Sequence, residues 1–163
     1  MKILAIVFTL LFIAGCTATS YHPLNYNGGY SETQLSEDIY KVNFKGNGYT
    51  SAEQASDFSL LRCADLSLAN NFKYFYVLSE QQQIDSQSYY IPPTTYNYSN
   101  GYSYTAGGFG GVSQSPLSSY SIKMSNIKDN FAYDAQFVVD SIELKYSQNK
   151  AFVKSRGTPI KEQ

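Results

Sequence analysis

The sequence predicts an α+β fold, a two-layer sandwich in which two helices cover one face of a small sheet of at least three strands. Three kinds of pattern predict it: an alternating strand at 40–45, an amphipathic helix at about 51–70, and further strands at 73–79 and 119–127. The predicted element order is β-α-β-loop-β-α. A chain of 163 residues is long enough for one domain of this kind.

The first predicted strand shows a strict alternation of apolar and polar residues. Tyr40, Val42 and Phe44 are apolar and the residues between them are polar, which is the period of a strand that is buried on one face. Gly46-Asn47-Gly48 follows and favours a turn, because Gly and Asn tolerate positive φ. The strand is therefore expected to end at residue 45.

The predicted helix has both a start signal and an apolar stripe. Thr50 and Glu53 have the spacing of a capping box, and Asn70-Asn71 is a plausible left-handed stop. Arg62 and Asp65 lie one turn apart and are expected to pair. The stripe has spacings of three and four residues and consists of Ala55, Phe58, Leu61, Ala64, Leu68 and Phe72.

The later elements are a second strand at 73–79, a third at 119–127, and a helix at 133–146. The run at 73–79 is almost continuously apolar, so we expect a central strand that is parallel to the first one. At 133–146 the run Phe137-Val138-Val139 alone favours a strand. The helical stripe is longer and is preferred; it comprises Phe131, Ala135, Val138, Ile142 and Tyr146.

Residues 1–15 are typical of a secretory signal peptide. Lys2 precedes an apolar run that ends in small residues, and this run is shorter than the roughly 20 residues that cross a bilayer. Ile13, Ala14, Gly15 and Cys16 resemble the lipobox of bacterial lipoproteins. That resemblance implies a diacylglyceryl group on the Cys16 sulfur, cleavage before Cys16, and the lipid bilayer as a partner.

The lipobox has consequences for the rest of the chain. Thr17, rather than Asp, follows the cysteine, which favours the outer membrane. A lipidated Cys16 cannot form a disulfide, so Cys63 is expected to be a free thiol in the core. Residues 16–36 are polar and are interpreted as a flexible tether to a domain at 37–154, with a flexible tail at 155–163.

A low-complexity insertion at about 86–118 is rich in Tyr, Gly and Ser. No charged residue lies between Asp85 and Lys123. One interpretation is a disordered insertion; the other is a binding arm that stacks on sugars, peptides or other copies of itself. The aromatic residues of this candidate arm are Tyr89, Tyr90, Tyr96, Tyr98, Tyr102, Tyr104 and Phe109.

The sequence contains little that resembles catalytic chemistry. Its single histidine, His22, lies in the predicted tether, and no His/Cys cluster has metal-ligand spacing. We therefore expect no catalytic residue, no metal, no cofactor and no enzyme activity. The formal net charge is −1 and the sequence contains no basic patch, which argues against a nucleic-acid partner. A carboxylate-dependent enzyme acting on envelope sugars is the less favoured alternative.

Three segments resemble a family of small bacterial lipoproteins of uncharacterised function, the Caulobacter-type lipoprotein family. They are Gly-Gly-Tyr-Ser-Glu at 28–32, Val-Asn-Phe-Lys-Gly-Asn-Gly-Tyr-Thr at 42–50, and Leu-Leu-Arg-Cys-Ala-Asp at 60–65. The resemblance covers the signal and about 26–79, continues weakly over 119–146, and does not extend to 86–118. It implies a single α+β domain on a lipid anchor, without a known reaction. Cys63-Ala64-Asp65 replaces the expected Ala-Ala-Glu, and Asn71 replaces Gly.

The sequence thus predicts an outer-membrane lipoprotein of the cell envelope with a non-catalytic binding or structural role. Its expected partner is an envelope protein or polysaccharide. The alternative is self-association or adhesion through the Tyr/Gly-rich segment.

Overall fold

The computed structural model describes residues 17–99 and 101–157. The strands are β1 (Gly29–Gln34), β2 (Ile39–Lys45), β3 (Tyr74–Ile91), β4 (Thr94–Asn97), β5 (Ser103–Ala106), β6 (Phe109–Ser125) and β7 (Tyr133–Asp134). The helices are α1 (Ala52–Ala69), α2 (Ala135–Lys145) and α3 (Lys150–Arg156). The predicted two-layer α+β fold is confirmed, with the helices packed on one face of the main sheet.

The main sheet has five strands in the order β1-β2-β6-β3-β7, and each of its pairings is antiparallel. Because β2 and β3 both run antiparallel to β6, they are parallel to each other, as predicted. They are not neighbours, since β6 lies between them and occupies the centre. A bulge between Val77 and Ser79 leaves Leu78 exposed. The apolar run at 73–79 is therefore nearly continuous in sequence, as in a strand buried on both faces, although Leu78 is not buried.

The core lies between α1 and the inner face of the sheet, where alternate strand residues point towards the helices. Phe58 of α1 packs edge-on against Phe44 of β2, with ring centroids 5.2 Å apart. Fully burying a large apolar side chain contributes about 1.5–3 kcal/mol. The predicted stripe is confirmed at Ala55, Phe58, Leu61 and Ala64, which are fully buried, and Leu68 and Phe72 pack half-buried at its end.

The ends of α1 agree with the sequence in part. The N-cap is Ser51, whose hydroxyl accepts a hydrogen bond from the amide of Gln54; the predicted cap, Thr50, instead accepts from the amide of Thr19. The predicted left-handed stop is confirmed at Asn71, where φ is 64°.

The predicted pairing of Arg62 with Asp65 is wrong. Arg62 donates two hydrogen bonds to the carboxylate of Glu32 on β1, at 2.7 and 3.2 Å, while Asp65 pairs with Arg156 of α3. Arg62 therefore connects α1 to β1, and Asp65 connects α1 to α3. The spacing of residues within one helix does not indicate such contacts.

The second helix, predicted at 133–146, is confirmed over Ala135–Lys145 as α2, whereas Tyr133–Asp134 form β7 and Phe131 of the predicted stripe is exposed. Val138 and Val139 are buried together with Ala135 and Ile142, whereas Phe137 is exposed. This burial pattern has the helical period, which explains why a short apolar run that favours a strand by itself belongs to a helix. Asp134 caps the helix by accepting from the amide of Phe137.

The predicted tether at 16–36 is wrong for the residues that the structure describes. The carbonyl of Thr17 already accepts a hydrogen bond from Asn47, Thr19 is buried, and Tyr21 packs against Phe58 at 5.7 Å between ring centroids. Strand β1 then pairs with β2 along its whole length. The segment resembles a linker in sequence because β1 is an edge strand with polar side chains. The residue that the segment contributes to the core, Tyr21, is a tyrosine whose hydroxyl keeps a hydrogen bond to Asp65.

The predicted flexible tail is wrong at its first residues, since α3 continues to Arg156 and this arginine makes two ion pairs. Residues 158–163 lie outside the described residues, as do the signal peptide, the lipobox residues Ile13, Ala14 and Gly15, and Cys16. The prediction for Cys63 is confirmed: it is a free cysteine and is fully buried. Burial raises the pKa of its thiol far above the ordinary value.

Candidate binding arm

The low-complexity segment forms an ordered arm, which we define as residues 86–115 without Asn100. Strand β2 stops alongside β6 at the pair Lys45–Leu117, and the amide of Gly46 makes a last bond to the carbonyl of Pro116. Helix α1 begins at Ala52, beside Ile84 and Pro116. Both layers of the domain therefore end at the root of the arm, and the paired ends of β3 and β6 continue beyond them.

The arm consists of a ribbon and a tip. In the ribbon, β3 and β6 stay in continuous register from the pair Ser86–Gln114 to the pair Ile91–Phe109. At a rise of roughly 3.3 Å per residue, this part extends about 20 Å from the domain. The interpretation of 86–118 as a disordered insertion is therefore not supported by the structure.

A Pro-Pro segment opposite a Gly-Gly segment separates the ribbon from the tip. Pro92 and Pro93 interrupt the ladder on one strand, and Gly107 and Gly108 adopt positive φ of 91° and 78° on the other. A Cβ on Gly107 would lie 2.9 Å from the carbonyl oxygen of Pro92. The tip, β4 and β5, is consequently a separate two-stranded sheet.

Two cross-strand pairs and a tight turn hold the tip together. Tyr96 lies opposite Tyr104, and the hydroxyls of Thr95 and Thr105 are hydrogen-bonded at 2.9 Å. Tyr98 begins the turn, and its amide donates to the carbonyl of Tyr102 at 2.8 Å. Such pairs each contribute roughly 0.2–1 kcal/mol, so the tip is held by local contacts.

The structure places the predicted arm residues on this one element, where each is at least 52% exposed. They do not form a single surface. Strand geometry places Tyr89 and Phe109 on one face of the ribbon and Tyr90 on the other, because successive side chains alternate. The remaining tyrosines belong to the tip; they are Tyr96, Tyr98, Tyr102 and Tyr104.

The outer face, by which we mean the face of the sheet opposite the helices, continues from the domain onto the ribbon as a regular series of side chains. Asp85 and Ser115 form its first cross-strand pair, followed by Gln87–Ser113, Tyr89–Gly111 and Ile91–Phe109. The ring of Tyr89 lies across Gly111, because a Cβ at this glycine would be 2.6 Å from the tyrosine hydroxyl and 2.8 Å from its Cζ.

A polar cleft of about 500 Å³, the root cleft, lies where this face meets the domain. Lys45 and Asp85 form an ion pair in its wall at 3.4 Å. Gln87 also faces the cleft, and the loop at 24–28 forms the opposite wall, with Tyr26 95% exposed. The sequence does not indicate this cleft, because it predicts the loop at 24–28 as part of a tether, whereas the fold brings that loop against the arm.

The ribbon has two open backbone edges. Among the described residues, β3 has no partner on its far side beyond Phe75, and β6 has none on its other side over 109–115. Unpaired edges are places where a further strand can add. Charged side chains usually block such addition, and the arm contains none.

Charged residues elsewhere form two clusters that connect helices. Arg156 pairs with Asp65 and Glu143 at 2.6 and 2.7 Å. Lys145 contacts Glu53 and Asp57, both at 2.6 Å. In each cluster one cation lies between two carboxylates, so both acids share a single positive partner.

Tyrosine hydroxyls complete these clusters. Tyr21 donates to Asp65 and Tyr146 donates to Asp57. Burial, followed by the effect of the neighbouring carboxylate, raises the pKa of both tyrosines above the ordinary value. Protonated tyrosines of this kind serve as hydrogen-bond donors, which suits a structural role.

His22 belongs to the same side of the domain, although the sequence had placed it in a solvated linker. Its Nδ1 lies 2.7 Å from the carbonyl oxygen of Pro23, and its own carbonyl accepts from the amide of Tyr30. The described residues include no group of three or more His, Cys, Asp or Glu side chains that could hold a metal ion. Within the same residues, no helix combines the length and the apolar character needed to cross a bilayer.

The chain matches no protein-family model, no curated protein and no solved structure. The resemblance to the Caulobacter-type lipoprotein family therefore stays a prediction.

Proposed function

We propose that this chain is a lipid-anchored protein of the bacterial cell envelope that binds an envelope component, without catalysis, through its arm. The observation that carries the proposal is the arm itself, an ordered and uncharged ribbon that leaves the domain where both of its layers end. Its aromatic side chains are exposed, although most of them add nothing to the core. Exposed aromatics on a fixed scaffold are typical of binding surfaces.

The proposed anchor is Cys16, acylated on its sulfur and made N-terminal by removal of residues 1–15, and the proposed location is the outer membrane. Two or more acyl chains are needed for firm attachment, because each buried methylene contributes about 0.8 kcal/mol. Mass spectrometry of the mature chain should find an acylated Cys16 at its N-terminus. Cys16→Ser should move the full chain out of the membrane fraction, and an unmodified thiol at Cys16 would contradict the anchor.

The role of the arm can be tested by replacing residues 87–113 with Asn-Gly. This dipeptide suits a two-residue hairpin turn, and it would join Ser86 to Gln114, which are cross-strand partners. Residues 16–163 carrying Cys16→Ser, which removes the lipid anchor from both proteins, should sediment with isolated envelope fragments, and the same protein with the arm replaced should stay in solution. Equal sedimentation of the two proteins would exclude the arm as the binding element.

The open edges of the ribbon favour a second candidate function, in which the arms of two copies pair edge to edge. No charged side chain of the arm would oppose such pairing. Sedimentation velocity should then show concentration-dependent association, and Val112→Lys, which adds a charge to the exposed ribbon, should abolish it. A strict monomer at high concentration would rule this function out.

A further inference from the structure

We propose that the root cleft, together with the ring of Tyr89, binds a neutral oligosaccharide. This inference rests on the proposed function, because it assigns a ligand class to the arm. It depends on three features of the outer face: polar side chains that have no hydrogen-bond partner among the described residues, an aromatic ring that lies across Gly111 beside them, and the absence of unbalanced charge.

The first feature is a set of polar side chains whose hydrogen-bonding groups are available to a ligand. Within the described residues, no side-chain hydrogen bond involves Gln87, Ser113 or Ser115, although all three line the cleft. An amide and hydroxyls can both donate and accept. Sugar hydroxyls require such two-way partners, since each hydroxyl is itself a donor and an acceptor.

The second feature is the Tyr89 ring. It lies over Gly111 of the facing strand, where the lack of a Cβ leaves room for it. The Gln87–Ser113 pair is the neighbouring pair on the same face, about 7 Å away along the strands. A ligand bonded in the cleft can therefore place its next ring on the aromatic surface, where the C–H face of a sugar packs well.

The third feature is the charge of the site. Its charged wall residues, Lys45 and Asp85, already pair with each other, and the arm beyond them is uncharged. An anionic polymer would find no excess of positive charge here. An extended peptide would be expected at the open backbone edges rather than on this face. A neutral saccharide fits both observations.

Calorimetric titration of the full-length protein in detergent would test the proposal with named probes. We expect binding of at least one neutral tetrasaccharide among maltotetraose, cellotetraose and tetra-N-acetylchitotetraose. Oligogalacturonate and an uncharged extended peptide serve as the anionic and peptide probes, and neither should bind in the cleft. Binding of only the peptide, or of none of the neutral sugars, would overturn the proposal.

Matched variants on the two faces of the ribbon locate the site. Tyr89→Ala and Gln87→Ala should each weaken sugar binding by about tenfold. Their controls, Tyr90→Ala and Gln114→Ala, alter the same residue types on the opposite face and should change the Kd by less than about twofold. Equal losses on both faces would contradict the assignment.

Gly111→Ala provides an independent check, because it keeps every polar group of the cleft. The new Cβ would displace the Tyr89 ring, so sugar binding should weaken while circular dichroism and the melting temperature stay unchanged. Unaltered binding by this variant would exclude the ring as the platform.

The outcomes also separate this inference from the proposed function. If the arm-replaced variant loses sedimentation with envelope fragments but no sugar binds the intact protein, the arm is the binding element and the ligand class is wrong. If the arm-replaced variant sediments like the intact protein, the proposed function itself fails.

Discussion

Arg156 connects the three helices through hydrogen bonds to two carboxylates. Its Nη1 donates to Asp65 of α1, while its Nε and Nη2 donate to Glu143 of α2. The guanidinium also lies over the ring of Tyr21, 5.3 Å from its centroid. Arg156, in the last described helix, therefore holds α3 against both α1 and α2.

Arg156→Ala should destabilise the protein by about 2 kcal/mol, because it leaves the largely buried carboxylate of Asp65 without its cation. Urea unfolding followed by circular dichroism measures this. Lys154→Ala, at an exposed position of the same helix, is the control and should cost less than about 0.5 kcal/mol. Equal effects of the two substitutions would contradict the structural role of the cluster.

Tyr120 makes the stability sensitive to alkaline pH. Burial and the bond to Glu80 raise its pKa from 10.0 to about 12, against the opposing bond to Ser56. Above pH 10 the unfolded chain loses this proton while the folded chain keeps it, so the free energy of unfolding falls as the pH rises.

In Tyr120→Phe, the decline of the free energy of unfolding between about pH 10 and 12 should be shallower by up to about 1.4 kcal/mol per pH unit. Urea titrations of the variant and the parent protein across this range measure the difference. Parallel pH dependences would show that Tyr120 does not titrate in this way.

At the scale of elements, the sequence was sufficient wherever the periodicity of apolar residues determines burial. β2, α1 and α2 were predicted because each buries one regular face in the core. β1 was missed because its side chains are mostly polar and its strand pairing is a backbone property. The outward extension of β3 and β6 was missed because neither face of the ribbon is buried, so no period distinguishes it from a disordered segment.

The candidate site was predicted only in part for the same reason. The aromatic residues of the arm stand out in composition, but the separation of Tyr89 from Tyr90 depends on a register that composition does not contain. The root cleft combines a loop at 24–28 with residues of β2, β3 and β6. Contacts between residues so distant in sequence arise from the fold, and no local pattern indicates them.

The arm-replaced variant also tests whether the arm is energetically separate from the domain. Apart from Asn100, its removed residues are exposed or, at Ala106 and Gly111, half-buried, and their strands pair with one another, so the free energy of unfolding should change by less than about 1 kcal/mol. Urea unfolding of the variant and the full-length protein provides the comparison. A loss of several kcal/mol would mean that the ribbon belongs to the cooperative unit.

At the scale of the molecule, the bond between Thr17 and Asn47 changes the proposed arrangement at the membrane. A lipid on Cys16 would hold the domain directly against the bilayer, because the next residue is already bonded to the loop after β2. Asn27 and Asn47 line both the root cleft and the cleft beside Thr17. The anchor would therefore lie near the root of the arm, and the arm would provide the reach that the expected tether does not.

Hydrogen exchange of the full-length protein, with and without isolated envelope fragments, tests directly whether the arm binds the envelope. The fragments should slow amide exchange in peptides covering 85–91 and 109–115 and leave α1, α2 and α3 unchanged. Slowed exchange confined to the helices, with none in the arm, would show that the arm is not the binding surface.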